Sequence, residues 1–144
     1  MGVSQPEFLG SSALERILAA ASVLVIAGGS AVVAYFDPSN VNFLPICPLY
    51  SMTGLACPGC GLTRGFHALF HGDVLAALDY NALIPVFAVA LGFFFLSMMS
   101  VAVRGRGFAV SVLSPKLLTG VLVLLLVFGV VRNLPVYPFS VLYP

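Results

Sequence analysis

Two uninterrupted apolar runs constrain this chain more than any other feature. Ile17 to Phe36 reads ILAAASVLVIAGGSAVVAYF, and Ala82 to Val103 reads ALIPVFAVALGFFFLSMMSVAV; neither contains a charged side chain. A helix of roughly 20 apolar residues, rising about 1.5 Å each, crosses the hydrocarbon of a bilayer. Both runs reach that length. A third, LLTGVLVLLLVFGVV from Leu117 to Val131, is shorter and lies between Lys116 and Arg132. It spans if those two side chains snorkel, with their charges in the headgroups and their stems in hydrocarbon. Ser114 and Pro115 make a suitable N-cap and first helical residue for it. The chain therefore reads as all-α, with transmembrane helices over 17–36, 82–103 and 115–133. Composition agrees: 60% of the 144 residues are hydrophobic, 8% are charged and the mean hydropathy is +1.11. Soluble domains carry about 25% charged residues, so this chain cannot cover a water-facing surface. It is read as one membrane domain, residues 17–144, after a short cytoplasmic arm, residues 1–16. A net charge of +1 supplies no basic patch for nucleic acid.

The first run exceeds the ~7–15 apolar residues of a signal peptide, and its leader carries Glu7 and Glu15, so it is read as an uncleaved helix. Arg104, Arg106 and Lys116 fall between the second and third runs, and Arg16 precedes the first. The positive-inside rule places those four in the cytoplasm and leaves Arg64 and Arg132 on the other side. The N-terminus is then cytoplasmic, while segment 37–81 and the C-terminus are extracytoplasmic.

Segment 37–61, DPSNVNFLPICPLYSMTGLACPGCG, is rich in proline, glycine and asparagine and is read as irregular. Irregular backbone facing lipid leaves polar groups unsatisfied, so the segment lies at the interface or under shelter of the helices. From 61 to 71 the pattern changes. Leu62, Phe66, Leu69 and Phe70 recur at helical spacing, opposite Arg64, His67 and His71, which predicts a short interfacial helix. Gly72 suits a left-handed helix end and Asp73 the next N-cap. The helix that follows leads toward the second span, with Pro85 as a bend or a first-turn residue.

CPGC at 57–60 has the spacing of a redox pair, and Cys47 is a third thiol that could resolve it. No βαβ pattern hosts a thioredoxin-like site. Cys47, Cys57, Cys60, His67 and His71 are five candidate ligands for zinc or another metal, and a structural zinc site needs four. The third reading is structural: CPGCG turns the chain into the interfacial helix, and Arg64 satisfies loop carbonyls or pairs with Asp73 or Asp79. A polar cluster under the loop is expected from Arg64, Asp73, Asp79, Asn81, Arg132 and Asn133. No nucleophile–base order, phosphate loop or metalloprotease motif appears, so an enzyme is not expected. Ala27 and Ala31, beside Gly28 and Gly29, offer a small-residue face for close helix approach. The stripe from Phe93 to Phe95 with Met98 and Met99 reads as facing lipid or a partner. Three spans enclose little interior, so association with itself or with other membrane subunits is expected.

The stretch CPLYSMTGLACPGCGLTRGFHALFHGDVLAALDYNAL closely resembles the bacterial membrane-protein family known as domain of unknown function 2752. Arg132 and Asn133 in FGVVRNL match that family's arginine-asparagine pair, and the resemblance covers roughly residues 42 to 136. Ala82 departs from the proline that often follows the asparagine. The resemblance implies a helical protein of the bacterial cytoplasmic membrane and carries no assigned activity. The leading reading is a scaffold or accessory subunit with a structural, partner-binding or metal-binding CxxC element. The alternative is a membrane thiol-disulfide oxidoreductase using Cys57 and Cys60.

Overall fold

The structure, a computed structural model, describes residues 12–38, 47–107 and 114–136. Residues 1–11, with Glu7, and 39–46 of the proline-rich segment lie outside it. Among the described residues six helices follow in order: α1 (Ala13–Tyr35), α2 (Pro48–Thr53), α3 (Leu62–Phe70), α4 (Val74–Tyr80), α5 (Ile84–Arg104) and α6 (Pro115–Val131). No strand occurs among the described residues.

By length and composition, α1 and α5 can each cross a bilayer, whereas α6, at 17 residues, is shorter. Their side chains agree with an apolar surrounding. Leu24 on α1 is 72% exposed and Val89 on α5 is 73% exposed, and isolated apolar helices with bare surfaces suit lipid better than water. The two long helices fit a membrane protein.

α1 begins at Ala13, four residues before the apolar run, because Ser12 and Glu15 form a capping box. The Ser12 hydroxyl accepts from the Glu15 N–H at 3.3 Å, and the Glu15 carboxylate accepts from the Ser12 N–H at 2.9 Å. Two of the helix's otherwise unpaired donors are thereby satisfied. One residue on, Arg16 reaches across to the far end of α5. Its Nε and Nη2 donate to Ala102 O at 3.3 and 3.2 Å, and Nη2 also donates to Val103 O at 3.2 Å. A cation on the last carbonyls of a helix is favourable, and this contact sets α1 and α5 antiparallel along their lengths.

The second span starts at Ile84 rather than Ala82. Asn81 leaves the helical conformation, with φ −161° and ψ 111°, so α4 and α5 are separate helices and Pro85 lies in the first turn of α5. A proline is tolerated there because the first N–H groups of a helix have no internal partner. Asp73 caps α4, its side chain accepting from Ala76 N–H at 2.9 Å. Gly72 takes φ +81°, as expected for a left-handed helix end. Residues 47–54 of the proline-rich segment are more regular than its composition suggests. Pro48, at the first helical position, opens α2, which closes on Gly54 at φ +73°.

The apolar core is small and sits above the two long helices rather than between them. Ala68, Ala77 and Ile84 are buried together, with Leu62, Phe66 and Leu69 packed around them. Close helix approach occurs at Gly65, where an added Cβ would stand 2.6 Å from Ile84 Cδ1 and 3.1 Å from Ala77 O. It does not occur at Gly28 or Gly29, whose added Cβ atoms would meet nothing within 4 Å. The small-residue face of α1 is thus open, and the tight packing lies where α3, α4 and the start of α5 meet. This three-helix corner carries the cysteine loop.

Candidate functional site

The loop is built by two successive turns. Cys60 N–H donates to Cys57 O at 3.0 Å, and Leu62 N–H to Gly59 O at 3.0 Å, with Gly61 at φ +79° between them. The positive φ needs a residue without Cβ, and it lets the chain enter α3 directly after the second cysteine. These turns draw Cys57 and Cys60 to 3.2 Å between sulfurs. Cys47, at the N-cap of α2, comes from the other side and also lies 3.2 Å from the Cys57 sulfur. All three thiols are free, and their sulfurs lie within 4.8 Å of one another. Cys60 is buried; Cys47 and Cys57 are half-buried.

Beneath the sulfurs, side chains from distant parts of the chain bind the loop's inward-facing backbone. Arg132, just past the end of α6, is 0% exposed, and its Nη1 donates to Cys57 O at 2.9 Å and to Cys60 O at 3.1 Å. The guanidinium lies 5.1 Å from the Phe128 ring centroid. Asn81, 1% exposed, donates from Nδ2 to Pro58 O at 2.8 Å and Cys60 O at 3.0 Å, and accepts from Leu83 N–H at 2.9 Å. Asn133 pairs with Ala56 as a second backbone strand would. Its Oδ1 accepts from Ala56 N–H and its Nδ2 donates to Ala56 O, both at 2.8 Å. The same Nδ2 donates to Gly129 O at 2.7 Å. Gly129 allows α6 close to the loop: an added Cβ would stand 3.0 Å from Pro58 Cγ. Irregular backbone near hydrocarbon persists only where such partners exist, and charge-assisted bonds to a buried cation are the stronger kind.

Arg132, Asn81 and Asn133 therefore come together at the loop. Arg64, Asp73 and Asp79 do not. Arg64 and Asp79 are exposed on α3 and α4, and Asp73 is occupied as a helix cap. The arginine on the loop carbonyls is Arg132, not Arg64, because α3 leaves the loop with Arg64 on its outer face while α6 ends underneath. The expected five-ligand set also divides. His67 Nδ1 donates to Val33 O at 2.7 Å and so fastens α3 to the end of α1; His71 Nδ1 donates to His67 O at 2.9 Å. Their rings stack at 4.4 Å between centroids. Neither joins the sulfur group.

The thiols differ in acidity. Burial, followed by the neighbouring sulfurs, pushes the Cys60 thiol up to about 12. The Tyr50 backbone N–H, followed by the Cys57 side chain, brings Cys47 down to about 7. Near neutral pH the rim cysteine is thus partly thiolate while the buried one holds its proton.

Residues 47–95 match the family model described as "Protein of unknown function (DUF2752)". This is the family that the CPGCGLTR motif resembles. The DUF2752 match begins on Cys47, takes in all three cysteines and Asn81, and ends within α5. It is narrower than the span of 42–136 expected from the motifs, and Arg132 and Asn133 lie beyond it. No curated protein and no solved structure gives a significant match to the chain.

The chemistry available to the loop follows from its sulfurs. At a tetrahedral ion with Zn–S bonds of about 2.3 Å, ligand sulfurs stand roughly 3.8 Å apart. The present spacings, 3.2 Å to at most 4.8 Å, bracket that edge.

Proposed function

We propose that the protein is a non-enzymatic accessory or scaffold component of the membrane whose loop binds a thiophilic metal ion, zinc or another d10 ion, through Cys47, Cys57 and Cys60. The observation that carries this reading is the convergence of three sulfurs within 4.8 Å on a loop anchored from two other helices. Two cysteines suffice for a disulfide; a third brought in from the end of a separate helix favours a ligand set. Rigid backing of this kind is what a metal site needs from its surroundings. The limited interior of the helical corner supports assembly with other membrane subunits or a second copy. Metal analysis of protein purified from membranes tests the ligand role. About one equivalent of bound ion per chain is expected, falling at least tenfold in Cys60→Ser; wild-type protein without stoichiometric metal would remove the proposal.

A second reading, thiol-disulfide exchange by Cys57 and Cys60 with Cys47 resolving, draws on the Cys57 sulfur standing 3.2 Å from both others. Intact mass under non-reducing conditions separates the two. The metal reading expects three thiols after denaturation, whereas a chain lighter by two hydrogens favours exchange.

The proposed setting is the bacterial cytoplasmic membrane, with the loop extracytoplasmic. Arg16, Arg104 and Arg106 lie at the end of the α1–α5 pair opposite the cysteines, and the positive-inside rule puts that end in the cytoplasm. In intact cells stripped of metal by chelator, an impermeant maleimide should modify Cys47. Labelling seen only after the cytoplasmic side is opened would reverse the orientation.

A further inference from the structure

We propose that the three sulfurs are unequal. Cys57 and Cys60 form a fixed chelating pair, Cys47 is a detachable third ligand, and the centre passes its metal ion to a thiol-bearing acceptor by exchange at Cys47. This rests on the metal reading above and makes the ion a cargo rather than a permanent structural part.

The fixed part is the backbone of the CPGC turn. The carbonyls of Ala56, Cys57, Pro58 and Cys60 are bound by the side chains of Asn133, Arg132 and Asn81 at 2.8–3.1 Å. The Cys57 N–H donates to the Cys60 sulfur at 3.1 Å, and a donor aimed at a ligating atom holds that atom in place. Cys60 itself is buried, at 8% exposure. A backbone tied down at four carbonyls keeps its two sulfurs where they are.

The third sulfur arrives by another route. Cys47 precedes α2, a six-residue helix none of whose residues is buried; Leu49 is 45% exposed and Met52 84%. The helix rejoins the anchored backbone through Gly54 at φ +73°, two residues before Ala56. Glycine takes and leaves such a conformation at little steric cost. A local bond from Leu55 N–H to the Thr53 hydroxyl, 3.2 Å long and exposed, crosses this pivot. Segments with little buried surface open at lower free energy than those packed into a core. Turning α2 about Gly54 withdraws Cys47 and leaves the pair undisturbed, because the side chains that bind 56–60 come from positions 81, 132 and 133.

Cys47 and Cys57 are half-buried above the buried Cys60, so an incoming ligand reaches the ion on the side that Cys47 vacates. Soft thiolate ligands select thiophilic ions, which makes another thiol the matching acceptor group. The step balances as ligand exchange. The bond from the ion to the Cys47 sulfur breaks, a bond to the acceptor sulfur forms, and the acceptor's proton passes to Cys47. The same exchange by further acceptor thiols at Cys57 and Cys60 releases the ion. No electron is transferred, so neither an oxidant nor a reductant is required.

The test uses the full chain in phosphatidylcholine nanodiscs loaded with Zn2+, the metal left on the discs being measured after rapid gel filtration. The acceptor is the soluble dithiol dimercaptopropanesulfonate. Zinc loss should accelerate in proportion to dithiol concentration and exceed the loss to equal EDTA, which offers no thiol, at least tenfold. Iodoacetamide on loaded wild-type protein, mapped by mass spectrometry, should modify Cys47 at least tenfold faster than Cys57, although both are half-buried. Cys47→Ser should retain stoichiometric Zn2+ and yield it to the dithiol at least tenfold faster than wild type, whereas Cys57→Ser should not retain it. Zinc loss independent of dithiol, or equally fast to EDTA, would overturn the inference. So would Cys57 alkylated as fast as Cys47, a measurement that needs no variant to fold, or Cys47→Ser as empty as Cys57→Ser. Each of those leaves the metal reading intact, while wild-type discs without stoichiometric Zn2+ would remove both.

Discussion

Arg132→Met will release the CPGCG loop from the end of α6. The substitution keeps a long flexible side chain in the same volume and deletes the Nη1 donor that serves Cys57 O and Cys60 O at 2.9 and 3.1 Å. Hydrogen bonds from a charged donor contribute roughly 1.5–3 kcal/mol each. Part of that sum is offset because a guanidinium no longer has to be taken out of water. Cys60 O keeps the Asn81 amide, so Cys57 O bears most of the loss. A net destabilisation of about 2–4 kcal/mol is expected, read as a lower unfolding midpoint in detergent. Alkylation of the buried Cys60 in the folded state should accelerate by an order of magnitude or more, since local opening exposes it. Arg132→Lys should fall between, because an ammonium cannot reproduce the planar fork. Wild-type stability and wild-type Cys60 reactivity in Arg132→Met would refute the anchoring role.

Asn81→Leu should be comparably damaging for a different reason. Its buried amide makes three hydrogen bonds, to Pro58 O, Cys60 O and Leu83 N–H. Leucine fills the space and satisfies none of them. Cys60 O retains Arg132, but Pro58 O and Leu83 N–H lose the partner the amide supplies, at about 1–3 kcal/mol each. A total near 2–4 kcal/mol follows from the same source. Asn81→Asp separates shape from chemistry. It is isosteric but sets a carboxylate oxygen against two carbonyl oxygens, so it should be no better than leucine. A stable Asn81→Asp protein would mean that the amide nitrogen does not face the loop.

These two side chains also mark how far the sequence could be read. The apolar runs, Ser114 and Pro115 opening α6, and Gly72 and Asp73 between α3 and α4 are local signals, and each governs backbone within a few residues of itself. The ends shifted where a second local device competed. Ser12 and Glu15 drew α1 back to Ala13, and Asn81 broke the helix ahead of Pro85. Asn81, Arg132 and Asn133 could be named as polar residues beside apolar runs, but their partners could not. Arg64, the nearer arginine in sequence, is the one expected on the loop carbonyls, and Arg132 takes that place. The two histidines, four apart on one helical face, have the spacing of metal ligands and serve instead to join α3 to α1 and to each other.

What the sequence determined by itself is the helical, lipid-compatible character of the chain, its long apolar helices and the helix ends at Gly72, Asp73 and Ser114, because hydropathy, glycine φ and capping act over one or two turns. Only the tertiary structure decided the site. Arg132 and Asn133 reach backbone groups 72 to 77 residues away, and Cys47 meets Cys57 across ten residues from another helix. Such contacts exist only after the helices pack, since α6 must end beneath the loop before its arginine can bind there. Packing turned a recognisable CxxC into a three-sulfur centre with a buried cation behind it.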